Sequence, residues 1–163
     1  MSPDEKTEEV PRPSWQVNLD KLDELGASVA ENGRRTEALL RLSGALYDLE
    51  GKGWMLYDWT GYEPDSGDGR CLAINKTLAE LVGTTQEEWE DKRLGDWLEA
   101  FLHPDDLGKT ESLITDTIYE GGVTTSFENR YRTADGGYVR IRWTAINEVR
   151  GAGVGVAELL GPA

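Results

Sequence analysis

Phe127-Glu128-Asn129-Arg130-Tyr131-Arg132-Thr133-Ala134-Asp135-Gly136-Gly137-Tyr138-Val139-Arg140-Ile141-Arg142-Trp143-Thr144-Ala145 carries the clearest structural signal in this chain of 163 residues. In its first half Phe127, Asn129 and Tyr131 alternate with Glu128, Arg130 and Arg132. In its second half Val139, Ile141, Trp143 and Ala145 alternate with Arg140, Arg142 and Thr144. A period of two sends one set of side chains to a core and the other to solvent, so each half reads as a strand. Asp135-Gly136-Gly137 between them is hairpin-turn chemistry. The strands extend over residues 123–132 and 138–149. A third strand, 154–160, follows the turn at Arg150-Gly151.

Working upstream, Gly121-Gly122 ends a helix that starts near Asp105 or Asp106, either of which caps it, and presents Leu113, Ile114, Thr117 and Ile118 on one side. Shorter helices are expected at 77–82, at 96–102, and from the Thr85/Glu88 capping box to about Lys92. Two strands, 54–59 and 70–75, precede them, joined by a loop rich in Gly and Asp. Asp65 and Asp68 in that loop lack the alternating ligands and distal Glu of a calcium site, so they read as turn residues. Two helices are expected before the first strand. One starts at Leu19, capped by Asn18, and stops at Asn32-Gly33. The other runs from Arg34 to Leu49. In the second, Leu39, Leu42, Leu46 and Leu49 form a narrow apolar seam, suited either to a dimer partner or to the helix's own domain. The resulting organisation is a leader at 1–16, flanking or dimerisation helices at 17–50, and a globular domain at 51–163.

Composition excludes several functions. The formal charge is −14, from 31 acidic and 17 basic residues. Such a surface repels phosphate backbones and anionic membranes, so neither nucleic acid nor membrane is an expected partner. There is one His, His103, and one Cys, Cys71, too few for an internal disulfide or a Cys/His zinc site. No run approaches the roughly 20 apolar residues of a membrane span, and the first residues lack the pattern of a secretory signal. A cytoplasmic location is the expectation.

Several motifs carry a family resemblance. Ile74-Asn75-Lys76-Thr77-Leu78 is similar to a "V-N-x-A-F" strand-to-helix junction, and Leu81-Val82-Gly83-Thr84-Thr85-Gln86-Glu87-Glu88-Trp89 to "L-x-G-Y-S-x-E-E-L". Phe101-Leu102-His103-Pro104-Asp105-Asp106 is similar to "V-H-P-D-D". The hairpin segment matches "F-E-x-R-x-R…D-G-x-Y", and Val154–Leu160 the closing "V-x-G-x-x-D-I-T". In this order the segment from about Trp54 to Leu160 resembles a PAS domain of the bacterial signalling type. The resemblance implies an α+β fold: a five-stranded antiparallel sheet with small helices on one face and a pocket between them, preceded by N-terminal helices. It also implies sensing or assembly. The expected partners are a second copy of the chain and an effector such as a histidine kinase.

The expected pocket residues are Trp97, Leu113, Ile114, Phe127, Asn129, Tyr131, Ile141 and Trp143. Asn129 is a buried amide whose partners are a ligand, backbone or water. Trp97 and Trp143 either line a cavity or fill it. No catalytic or metal-ligating residues are assigned. His103 reads as a structural residue of the loop entering the long helix, and Cys71 as a small core residue. Neither haem nor covalent flavin is expected, because the long helix has no His and the flavin-type cysteine stretch is absent. Non-covalent flavin or a small metabolite fits the resemblance. Gly151-Ala152-Gly153-Val154-Gly155 precedes a strand, so it is not a dinucleotide fingerprint. Two competing readings are a small α+β enzyme with Asp96 or Asp116 as base, and a ligand-free scaffold.

Overall fold

The computed structural model describes residues 14–60 and 69–163, with side chains described over 23–60, 69–122 and 127–163. The leader expected at 1–16 therefore lies outside the described residues except at 14–16, which are helical. The Asp65/Asp68 loop lies outside them altogether.

Helix α1, Ser14–Leu49, is one 36-residue helix rather than two. Asn32-Gly33 does not stop it. A glycine inside an exposed helix costs only about 1 kcal/mol, too little to end a helix by itself. The chain divides into two units, residues 1–39 and 40–163. In the first, Glu31 accepts from Arg34 at 2.8 Å and from Arg35 at 3.0 Å, while Leu25, Val29 and Leu39 are exposed.

The second unit is a six-stranded sheet with the short helices on one face and the end of α1 on the other. Its elements are β1 (Gly53–Asp58), β2 (Arg70–Ile74), α2 (Lys76–Val82), β3 (Lys92–Arg93), α3 (Leu94–Phe101), α4 (Leu107–Glu120), β4 (Gly122–Arg132), β5 (Tyr138–Asn147) and β6 (Ala152–Pro162). The spatial order is β3-β2-β1-β6-β5-β4, antiparallel throughout. The two-residue β3 is the strand beyond the expected five. The Thr85/Glu88 capping box does form: Thr85 N donates to Glu88 Oε2 at 3.1 Å, and Glu88 N to Thr85 Oγ1 at 3.3 Å. It opens only a 3-10 turn, Glu87–Trp89. Asp91 then adopts φ +58°, and the chain turns into β3 instead of continuing as helix.

The alternation in β5 is realised: Val139, Ile141, Trp143, Ala145 and Asn147 are buried, with the intervening residues more exposed. β1 is buried on both faces. Met55 and Tyr57 enter the main core beneath α2, α3 and α4. Trp54 and Leu56 join a smaller cluster with Ala73, packed by Leu40, Tyr47 and Val156. The last turns of α1 thus lie on the sheet face opposite α3 and α4. Gly44 permits this seat, since a Cβ there would stand 2.8 Å from the Trp54 indole. The far side of the same turns leaves Leu42, Leu46 and Leu49 more than half exposed.

Asn75 ties this junction together and caps α2 as its sequence position predicts. Its Oδ1 accepts from Trp54 N at 2.9 Å and Leu78 N at 3.1 Å. Its Nδ2 donates to Lys52 O at 2.8 Å and Gly44 O at 3.2 Å. Asp48 adds a second tie by accepting from Thr77 N at 2.7 Å. One buried side chain therefore joins α1, β1 and α2.

Candidate functional site

Between the sheet and helices α3 and α4 lies a cavity of about 70 Å³. β1 supplies Met55 and Tyr57, with Trp59 just beyond it. α3 supplies Leu94, Trp97 and Leu98, and α4 supplies Thr110 and Ile114. Phe127 and Tyr131 come from β4, Trp143 and Ala145 from β5, and Gly155 from β6. A groove of about 450 Å³ lies outside it, sharing Trp59, Leu94, Leu98 and Ile114. The groove adds Ser112, Thr115 and the carboxylates of Glu111 and Asp116. It thus mixes polar and apolar surface where the inner cavity is almost wholly apolar.

The inner wall is an aromatic chain. Trp97 meets Trp89 edge-on at 5.0 Å and Phe101 at 4.7 Å, and Tyr131 stands 5.9 Å from Trp143. Offset and edge contacts of this kind hold flat rings in fixed orientations. At the other end, Gly153 leaves the space occupied by the Tyr57 ring and the Asn147 side chain; a Cβ there would overlap both.

Polar groups in this wall are only partly satisfied. Thr110 Oγ1 donates to Asp106 O at 2.7 Å, so its proton is committed. It then accepts from Asn129 Nδ2 at 3.3 Å. This chain fixes the Asn129 amide and leaves Oδ1 as a buried acceptor without a partner. Among the described residues, Trp97 Nε1 and Trp143 Nε1 are buried donors without partners, and so is Trp54 Nε1 on the opposite sheet face. Burial pushes the Tyr131 phenol well above its ordinary pKa, with the nearby Trp97, Asn129 and Trp143 side chains acting the other way. None of those three contacts reaches hydrogen-bond geometry at the indole nitrogens or at Asn129 Oδ1. Asn147, beside Tyr57, likewise has both amide atoms buried, with no partner in hydrogen-bond geometry among the described residues.

The structure brings Trp97, Ile114, Phe127, Tyr131 and Trp143 together around the cavity. Asn129 stands behind them, bonded to Thr110. Ile141 is fully buried in the core, and Leu113 is not among the lining residues. Sequence reasoning missed Met55, Tyr57, Trp59 and Thr110. The β1 residues were hidden because a strand buried on both faces shows no alternation. Thr110 had no signal beyond its helical position.

The remaining candidates are structural or exposed. His103 Nδ1 accepts from Asp105 N at 3.2 Å, capping the 3-10 turn Pro104–Asp106, and its ring packs on Tyr138. Asp106 does not cap α4 with its side chain. It accepts instead from Arg130 N at 2.8 Å, Nε at 3.0 Å and Nη2 at 2.9 Å. These bonds, helped by Lys109, hold its carboxyl far below the usual range despite burial. Cys71 is fully buried, and burial pushes its thiol up to about 12, which removes it as a nucleophile. Asp96 and Asp116 are both exposed, so neither has the buried setting expected of a base. No group of three or more potential metal ligands occurs among the described residues. None of the helices of the described residues is long and apolar enough to cross a membrane.

A six-stranded sheet, small helices on one face and an aromatic cavity between them define a PAS architecture, and comparison with known proteins agrees. The profile of the PAS fold family matches residues 72–153, and the chain belongs to that family. Among solved structures, the N-terminal domain of a diguanylate cyclase with PAS/PAC sensor from Marinobacter aquaeolei is similar at TM-score 0.53 and 20% identity. That match covers 68% of this chain and 95% of that one. A PAS domain from Colwellia psychrerythraea gives TM-score 0.53 at 18% identity, over 76% and 98% of the two chains. The PAS domain of the Cronobacter turicensis RpfR quorum-sensing receptor, solved in complex with C12:0, gives 0.50 at 13%, over 68% and 94%. No curated protein matches the sequence. The family match makes the chain a PAS domain, and these structures share its fold.

Proposed function

We propose that this chain senses a small molecule in the cavity between its sheet and α3/α4, and passes the bound state to a signalling effector as a homodimer. The observation that carries the reading is the cavity wall, where Trp97 and Trp143 hold buried N–H groups with no acceptor among the described residues. Native sheet cores rarely leave such donors unpaired, and a bound ligand is one way to satisfy them. The Asn75 node supplies a route outward, because it hydrogen-bonds the last turns of α1 to β1 and α2. A ligand acts through that route only by binding one packing arrangement more tightly than another. The module has no chemistry of its own in this reading, and its effector is a separate signalling activity such as a histidine kinase.

Homodimerisation is supported by Leu39, Leu42, Leu46 and Leu49, exposed at the spacing of a helical seam. Light scattering of the purified chain tests it. A dimer that becomes monomeric in the Leu42→Asp/Leu46→Asp variant is expected; a wild-type monomer at high concentration ends the dimer reading. An inner cavity of about 70 Å³ favours a small molecule over a flavin ring or haem. A small metabolite that continues into the groove fits better. The same small volume also favours a scaffold whose core is simply filled. Native mass spectrometry and an absorption spectrum of the purified chain separate the two: a retained small molecule supports the sensor, and a bare mass with no exogenous binder supports the scaffold.

A further inference from the structure

We infer that the groove beside the cavity binds a small organic cation, with its ammonium head between Glu111 and Asp116 and its apolar tail in the throat shared with the cavity. This deepens the sensor reading and rests on it. The site is built from two neighbouring stripes of α4. Thr110, Ile114 and Ile118 recur every fourth residue, and Thr110 and Ile118 are buried. Beside them Glu111, Ser112, Thr115 and Asp116 line the groove. The helical rise places Glu111 and Asp116 about 7 Å apart along the axis, which leaves room for a head group between them. Neither carboxylate has a hydrogen bond or ion pair among the described residues. Lys109, the one basic residue of α4, is held by Asp106 at 3.2 Å and by Glu128 O at 3.1 Å. No Lys, Arg or His lines groove or cavity among the described residues. Thr115 spends its hydroxyl proton on Glu111 O at 2.9 Å, so it offers an anion no donor. An ammonium only donates and a carboxylate only accepts, so the two match. Both carboxylates are exposed, so the head keeps part of its water and its desolvation costs little. A bare metal ion fits less well, because no group of three or more potential metal ligands occurs among the described residues.

The apolar half of the groove supplies the second contact. Trp59, Leu94, Leu98 and Ile114 are common to groove and cavity, and they form an apolar throat between the two. Gly69 shapes that throat: a Cβ there would overlap the Trp59 ring and stand 3.1 Å from Leu94 Cδ1. The groove, about 450 Å³, has room for a short chain, and the cavity, about 70 Å³ and almost wholly apolar, takes only its tip. A neutral molecule of the same shape uses the throat and gains nothing from the carboxylates. An anion is repelled by them. A cation without a tail gains nothing from the throat.

The test uses four probes: hexylammonium, 1-hexanol, hexanoate and methylammonium. The first three are nearly equal in length and differ in the charge of the head; the fourth keeps the charge and lacks the tail. Each is titrated into the full chain at low salt while the methyl resonances of Leu94, Leu98 and Ile114 are followed by NMR. Hexylammonium is expected to bind roughly fivefold more tightly than 1-hexanol, with hexanoate weaker still, and to move all three sets of methyls. Methylammonium should bind at least about tenfold more weakly than hexylammonium. Added salt should narrow the gap between hexylammonium and 1-hexanol. The double variant Glu111→Gln/Asp116→Asn should bring hexylammonium down to the level of 1-hexanol and leave 1-hexanol unchanged, which controls for general damage. Glu80→Gln/Glu158→Gln removes the same charge at residues that do not line the groove, and should change hexylammonium binding less than about twofold. Equal binding of hexylammonium and 1-hexanol overturns this inference and leaves the sensor reading standing. Tighter hexanoate binding, methylammonium as tight as hexylammonium, unmoved methyls, or equal losses in the two double variants also overturn it. Failure of all four probes overturns it too, and a ligand retained in native mass spectrometry then still decides the sensor reading separately.

Discussion

Two buried asparagines divide the molecule into a part built to hold and a part built to receive. Asn75 and Asn129 are almost equally inaccessible. Asn75 uses its oxygen twice and its nitrogen twice, all on backbone groups of α1, β1, α2 and the turn before β1. Asn129 makes one long bond to Thr110 and leaves its oxygen unpaired. Burial alone therefore says little about the role of a polar side chain. Its unused valences say more, because a satisfied amide rigidifies and an orphaned one lowers the cost of admitting a guest.

Mutation should expose the difference. The largest effect is expected at Asn75→Ala, which strands two backbone N–H donors and removes bonds to two carbonyls. A loss of about 4 kcal/mol in denaturant unfolding follows. Asp106→Ala should cost about 2 kcal/mol, because it leaves Arg130 without its main partner, although Arg130 remains partly in water. The pH dependence has a definite sign. The Asp106 carboxyl is depressed in the folded state, so its contribution is present above the unfolded value near pH 4. It fades as pH falls through that value toward the folded one. Asp106→Asn should flatten the stability curve between about pH 4 and 2 and leave pH 7 to 9 unchanged in slope. Gly44→Ala should cost about 1 kcal/mol, since overpacking against Trp54 outweighs the gain in helix propensity. Asn129→Leu should lie within about 1 kcal/mol of wild type in either direction. A cost at Asn129 as large as at Asn75 breaks the contrast between the two residues.

Much of this was legible in the sequence, and the failures have physical causes. The β4–β5 hairpin followed from alternation because its inner side is dry and its outer side is wet. The Asn75 cap followed because a cap is a local interaction. α1 was split in two at Asn32-Gly33 because a local breaker signal was weighed against no knowledge of its surroundings. Local sequence offers Asp105 or Asp106 as the cap of α4, but the Asp106 side chain is taken by Arg130, 24 residues away, and no local pattern announces a pairing of that range. The cavity wall was half legible. Trp97, Tyr131 and Trp143 lie on amphipathic or alternating segments, but Tyr57 and Met55 lie on a strand that is apolar throughout.

The strand order has a kinetic consequence. The two central strands, β1 and β6, come from opposite ends of the sheet's sequence, with partners such as Trp54 and Val156 roughly a hundred residues apart. The β4–β5 hairpin can form early, because its loop is short. The centre of the sheet, and with it the cavity floor at Gly155, must wait for closure of almost the whole domain. Such a high contact order predicts folding in milliseconds to seconds rather than microseconds. Until that closure the ends of β2–β1 and β5–β4 present unpaired edges, so a ribosome-bound or truncated chain lacking β6 should be the species most prone to aggregate.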